Sequence, residues 1–301
     1  MPDDFEPTLT WVVKKAKMDF PADNADHYLA VMAAYALYFA IINMTSHCVF
    51  LCWNKKYTGL SPGKRTEYRA NVIAIFHSVI AVFLSSLGMW WVCRPGENVF
   101  NSNQCIDTPK YIHLWALMHS VGYFIVDTIN YIFLVKEKKP SDMQNIGHHI
   151  IAITTFCGTL FFMNFTVVFG VMLLFVEVST PFVCIRWLIY AHDCQDSVWN
   201  AINSMGIFFS FLLGRLTFQL YVLFTFGYPK LTKMFKESTM PYWKVTLLMQ
   251  MYAAITIAAF MNIYWMWLII KQLARVIQRI VGGESGNAFS AGGPLPDGMD
   301  G

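Results

Sequence analysis

Seven long apolar runs constrain this chain more than any other feature. A helix needs about 20 apolar residues to cross the hydrocarbon core of a bilayer. Runs near 28–53, 71–92, 111–135, 146–163, 165–190, 198–226 and 243–270 reach roughly that length. Hydrophobic residues make up 56% of the chain and charged residues only 14%, against about 25% charged in a soluble domain. The expected fold is therefore all-α and polytopic, with about seven transmembrane helices. A formal net charge of +3 over 301 residues gives no basic stripe of the kind that nucleic-acid binding requires.

The segments outside the runs set the expected organisation. Residues 1–27 are polar and mixed in charge, with Asp3, Asp4, Glu6, Asp19, Asp23 and Asp26 against Lys14, Lys15 and Lys17. They lack the arginine-rich character of a transit peptide and the short apolar core of a cleaved signal, so the first apolar run is expected to serve as the insertion signal. Residues 28–63 comprise that run and a basic loop. Past Lys271, a basic helical extension with Arg275 and Arg279 leads into 282–301, rich in Gly, Ser and Pro and expected to be disordered when free.

Orientation follows from the loops. Lys55, Lys56, Lys64, Arg65 and Arg69 cluster in the first loop, and Lys136, Lys138 and Lys139 in the third. The positive-inside rule puts both on the cytoplasmic side with the C-terminus, and the N-terminus outside. Lys230, Lys233 and Lys236 oppose this, since they would lie outside. Of seven cysteines, Cys93 and Cys105 flank a loop on the expected outer side, where they either pair or stay as separate thiols. Asn164-Phe165-Thr166 is a formal glycosylation sequon placed too near the membrane for use. No cysteine pair has zinc spacing, and adjacent histidines chelate poorly, so no metal is expected.

Ionisable residues within the runs need a reason, because each costs roughly 2.5–3.5 kcal/mol at bilayer depth on insertion scales. At about 1.5 Å per residue, His77 lies roughly 9 Å and Asp127 roughly 12 Å from the inner ends of their spans. His148 and His149 fall in the first turn of the fourth span, Arg186 one turn inside the fifth, and Glu177 near its middle. These groups converge between the midplane and the cytoplasmic face.

His119, Tyr123, Asp127 and Asn130 recur at helical spacing and form one polar stripe. The stripe faces either packed helices or a water-filled cavity. Pro181 deprives the Glu177 carbonyl of its usual donor, creating either a head-group or proton site or a kink locked by an ion pair from Glu177 to Arg186 or Arg215. His148 and His149 point about 100° apart on a helix, so only one is expected to reach a narrow cavity. Imidazole there is suited to general-base work.

A resemblance joins these residues. Arg69, Asn71, His77 and Ser78; Gly122, Tyr123 and Asp127; His148 and His149; the stretch from Glu177 to Phe182 with Arg186 and Trp187; Arg215; and Asn262 to Trp265 occur in the order found in TLC-domain proteins. That family includes translocon-associated membrane proteins and ceramide synthases. The chain resembles most the subgroup named TLC domain-containing proteins, over 64–271. The resemblance implies a six-helix bundle around a cytoplasm-facing cavity, one extra N-terminal helix, and membrane lipids as ligands. It implies cavity residues His77, His119, Tyr123, Asp127, Glu177, Arg186 and Arg215, and a location in the endoplasmic reticulum, with the mitochondrial inner membrane as the alternative.

In ceramide synthases the matching histidine pair belongs to the site that joins a long-chain base to an acyl group from acyl-CoA. Carried over, this makes His148, His149 and Asp127 the catalytic candidates, with acyl-CoA as co-substrate and no resident cofactor. Those enzymes place a His-Asp-x-x-Asp element about one span later, where this chain has Glu177. The same lettering at His192 to Asp196 lies too far along and reads as a surface turn. Three functions are carried forward: lipid binding or handling in membrane lipid homeostasis, a ceramide-synthase-like lipid acyltransferase, and an accessory subunit held in a larger membrane complex through the C-terminal tail.

Overall fold

A computed structural model describes residues 12, 14–18, 25–135, 138–162, 164–237 and 240–281. The expected N-terminal polar segment lies largely outside them, and the 282–301 tail lies wholly outside. Among the described residues the chain is helical with no strand. The helices are α1 Ala25–Trp53, α2 Lys55–Thr58, α3 Pro62–Trp90, α4 Asn103–Asp107, α5 Tyr111–Ile129, α6 Pro140–Thr159, α7 Phe165–Leu174, α8 Thr180–Ala191, α9 Val198–Ser210, α10 Gln219–Val222, α11 Tyr228–Glu237 and α12 Tyr242–Val281.

Local chemistry sets several starts. Pro62 and Pro140 occupy first-turn positions, where a missing N–H costs nothing. The Asp142 carboxylate accepts from the Lys139 N–H at 2.8 Å, and Asn164 Oδ1 accepts from the Thr166 N–H at 3.1 Å. Asn164, the sequon residue, is thus committed to capping α7.

Six described stretches are long and apolar enough to cross a membrane: His27–Trp53, Pro62–Trp90, Tyr111–Leu134, Phe165–Ala191, Val198–Lys236 and Tyr242–Ala274. The expected count of about seven therefore needs refinement. The fourth expected span does form a helix, α6, but Asp142, Gln144, Asn145, His148 and His149 make it too polar to qualify by composition. Its polarity belongs to the inner wall described below. The sixth expected span runs on to Lys236, past 226.

The bundle is solid at one end and hollow at the other. At the solid end Met89, Val99, Ile106, Phe165, Phe169, Leu231 and Leu248 form one apolar cluster. Cys93 and Cys105 are joined there, with Cα atoms 5.7 Å apart, and Lys230 Nζ reaches Asp107 at 2.5 Å. A second cluster, built on Leu114, Leu117, Met118, Val121 and Phe124 of α5, takes in Phe39 of α1. Helix α1 packs closely because Gly122 presents no side chain: a Cβ there would lie 2.7–2.8 Å from atoms of Tyr35 and Ala36. Close backbone approach at small residues is how helices associate where water supplies no drive.

Candidate functional site

Helices α3, α5, α6, α8, α9 and α12 surround a cavity of about 410 Å³ at the hollow end. Its wall mixes Ala70, Ala74, Phe124, Val183, Ile207 and Phe211 with polar side chains, including Tyr123, Asp127, His148, His149, Glu177, Arg186 and Arg215. Two irregular elements place the charged pair. Pro181 stops the α-helical ladder, so Phe175–Ser179 winds as a 3₁₀ segment, and the Glu177 carbonyl accepts from the Thr180 N–H instead. Opposite it, Phe211–Phe218 is a π-helix carrying Arg215. The bare Gly214 lets it approach: a Cβ there would meet Val178 Cγ1 at 2.3 Å.

Arg215 is engaged by the facing segment. Its Nε donates to Ser179 Oγ at 2.7 Å and its Nη2 to Thr180 Oγ1 at 2.9 Å. Nη2 also stands 3.7 Å from Glu177 Oε1, while the Thr180 hydroxyl donates to Glu177 Oε2 at 2.6 Å. Of the two expected partners for Glu177, the structure brings Arg215 and leaves Arg186 apart. Arg186 is 8% exposed, and its guanidinium lies 5.5 Å from the Tyr190 ring centre. Among the described residues it has no ion pair or hydrogen bond.

The histidines divide into two groups. His148 and His149 both line the cavity, which is wide enough to admit two directions of one helix; this corrects the expectation that only one would reach it. His148 meets Trp265 edge-on at 6.0 Å. His149 Nδ1 lies 3.4 Å from Asp127 Oδ2 without hydrogen-bond geometry.

His77 and His119 are not in the cavity wall, although sequence placed them there. They pack behind it, His77 stacked on Tyr123 at 4.0 Å and on His119 at 5.2 Å, with Phe39 of α1 against both. Neither His77 ring nitrogen has a hydrogen-bond partner. The polar stripe on α5 therefore serves several surfaces: His119 faces α1, Tyr123 and Asp127 face the cavity, and Asn130 Oδ1 accepts from Asn43 Nδ2 at 3.1 Å.

Sequence reasoning missed Gln144, Asn145, Asn200 and Gln272 in the wall. It also missed a second network at α1, where Arg69 donates to Asn43 Oδ1 at 3.0 Å and to the Tyr57 hydroxyl at 2.6 Å, with His47 Nδ1 3.0 Å away. The only signal for that network was an Arg beside an apolar run. The His192 to Asp196 stretch is an exposed turn: Asp193 has φ +55° and pairs with Lys56, which holds its carboxyl below the ordinary carboxylate range. His192 Nε2 meets the Tyr68 hydroxyl at 3.0 Å. Among the described residues no group of three or more His, Cys, Asp or Glu is placed to hold a metal ion.

Fold and site together define a polytopic all-α membrane protein with a polar-lined cavity in one half of its bundle. The family model for the TLC domain matches residues 67–271, more than half of the chain, and the chain belongs to that family. It is similar to TLC domain-containing protein 1 of Rattus norvegicus, 31% identical over 151 residues, and to that of Mus musculus, 25% identical over 151 residues. Each alignment covers 50% of this chain and 58% of the relative. Protein CLN8 of Mus musculus is 21% identical over 252 residues, covering 82% of this chain and 81% of the relative.

Proposed function

We propose that this protein binds a membrane lipid in the cavity, with the polar head near Arg186, Glu177 and the histidine pair and the chain against the apolar wall. The observation that carries this reading is a cavity of about 410 Å³ whose wall is chiefly apolar but holds converging ionisable groups, the general character of a small-molecule site. The basic loops Lys55 to Arg65 and Lys138 to Lys139 flank the hollow end, so the positive-inside rule turns the cavity toward the cytoplasm. In that orientation Lys230 is outside, paired with Asp107. We take the endoplasmic reticulum as its membrane and membrane lipid homeostasis as its role.

The test is native mass spectrometry of the purified full chain, with lipid extraction from the same sample. One lipid class retained at a defined stoichiometry is the expected result. Absence of any retained or exchangeable lipid would overturn the reading, and a constant set of co-purifying proteins in its place would favour the accessory-subunit role.

A second reading, lipid acylation from acyl-CoA, draws on one contact. Asp127 stands 3.4 Å from His149 Nδ1, so a small rotation would orient the imidazole as a general base. In that case His149→Ala abolishes acyl transfer while folding persists, and full turnover in both His148→Ala and His149→Ala rejects it.

A further inference from the structure

The charges in the cavity do not balance in the same way at every position. Arg215 has a carboxylate and two hydroxyls within reach, so its charge is paired and two of its donors are engaged. Arg186 lines the same cavity, is 8% exposed, and lies over the face of Tyr190, with no ion pair or hydrogen bond among the described residues. A buried guanidinium without an anion is costly, and no carboxylate among the described residues pairs with it. Arg186 lines the cavity, so an anion held there would meet its guanidinium.

The position of Arg186 narrows the ligand. It stands five residues before the end of α8 at Ala191, about 8 Å below that end at 1.5 Å per residue. With the span Phe165–Ala191 centred on a hydrocarbon core of about 30 Å, that depth falls near the edge of the core, where a long Arg side chain reaches the head-group region. A planar guanidinium matches two oxygens of one phosphate, and phosphate recognition favours Arg for that reason. Farther inside, Ala74, Phe124, Val183 and Phe211 leave an apolar wall for a chain.

Resting on the lipid reading above, we propose that the ligand is a phosphate-bearing lipid whose phosphate pairs with Arg186. Arg215 and Glu177 form a neutral buttress and do not contact the phosphate. An uncharged lipid of the same chains fills the apolar part but leaves Arg186 unpaired. A fatty acid offers a carboxylate instead, and free phosphate offers the anion without the anchor.

The experiment uses the full chain in detergent, loaded separately with dioleoyl phosphatidylglycerol, dioleoylglycerol or oleate and followed by native mass spectrometry, with inorganic phosphate as competitor. The expected result is phosphatidylglycerol retention at least about tenfold above dioleoylglycerol, the scale of one charge-assisted hydrogen bond. Arg186→Gln removes that preference and keeps dioleoylglycerol retention; Arg186→Lys keeps part of it. Circular dichroism of each variant checks folding.

Equal retention of the two glycerolipids by the unaltered chain overturns the proposal while leaving lipid binding intact. So does a preference that survives Arg186→Gln, Arg186-dependent oleate binding above phosphatidylglycerol, or displacement of phosphatidylglycerol by inorganic phosphate. Retention of no lipid at all overturns the lipid reading and the proposal with it.

Discussion

At the residue scale, the Glu177–Arg215 pair shows how a membrane interior tolerates charge. Both side chains are at most 10% exposed, and Ser179 and Thr180 engage two of the Arg215 donors and one Glu177 oxygen. Removing one partner strands the other, which costs about 3–5 kcal/mol. Glu177→Gln is therefore expected to destabilise by that order in denaturant unfolding in detergent. The double variant with Arg215→Met recovers much of the loss, because no unpaired charge remains. His77 makes the opposite prediction. Its ring is fully buried, stacked and without hydrogen bonds, so it behaves as an aromatic packing residue. His77→Phe is expected to keep stability within about 1 kcal/mol and to leave lipid retention unchanged. Loss of retention in that variant would return His77 to the site.

At the element scale, departures from the regular α-helix do the positioning. The 3₁₀ segment at Phe175–Ser179 and the π-helix at Phe211–Phe218 face one another. Each turns polar side chains toward the other that a regular ladder would aim elsewhere, and π segments recur at functional sites. Pro181 announces the first in sequence. Nothing in the sequence announces the second, since a π turn reflects contacts made on folding. Helix α1 is held by close approach at Gly122 and by the Arg69 network. Gly122→Ala is expected to cost about 1–3 kcal/mol by overpacking, whereas Gly63→Ala, with nothing within 4 Å of the added Cβ, is neutral or slightly stabilising. Thermal unfolding of the two variants compares them directly.

Across the whole molecule, the solid end and the hollow end divide labour. The disulfide, the Asp107–Lys230 pair and the apolar cluster around Met89, Phe165 and Phe169 close one end, leaving the cavity to the other. Reducing the Cys93–Cys105 bond, which spans 12 residues, is expected to lower stability by about 3 kcal/mol on the loop-entropy model. It leaves lipid retention intact because the two ends share no side chain. A reductant series followed by unfolding and by native mass spectrometry checks both halves of that statement.

Apolar runs separated by charged loops were enough to define a polytopic helical protein, because a bilayer permits few other ways to satisfy the backbone. The ionisable residues within those runs marked the cavity for the same reason, and Asp127, His148, His149, Glu177, Arg186 and Arg215 all line it. Tertiary structure decided the partners. Which arginine pairs with Glu177, which histidines meet the cavity and which stack behind it depend on helix rotation and on the approach of segments far apart in the chain, and periodicity along one helix carries no information about either. Helix α6 shows the limit best. Its polar half looked like a weak span, and only packing revealed that this half is the wall of the cavity.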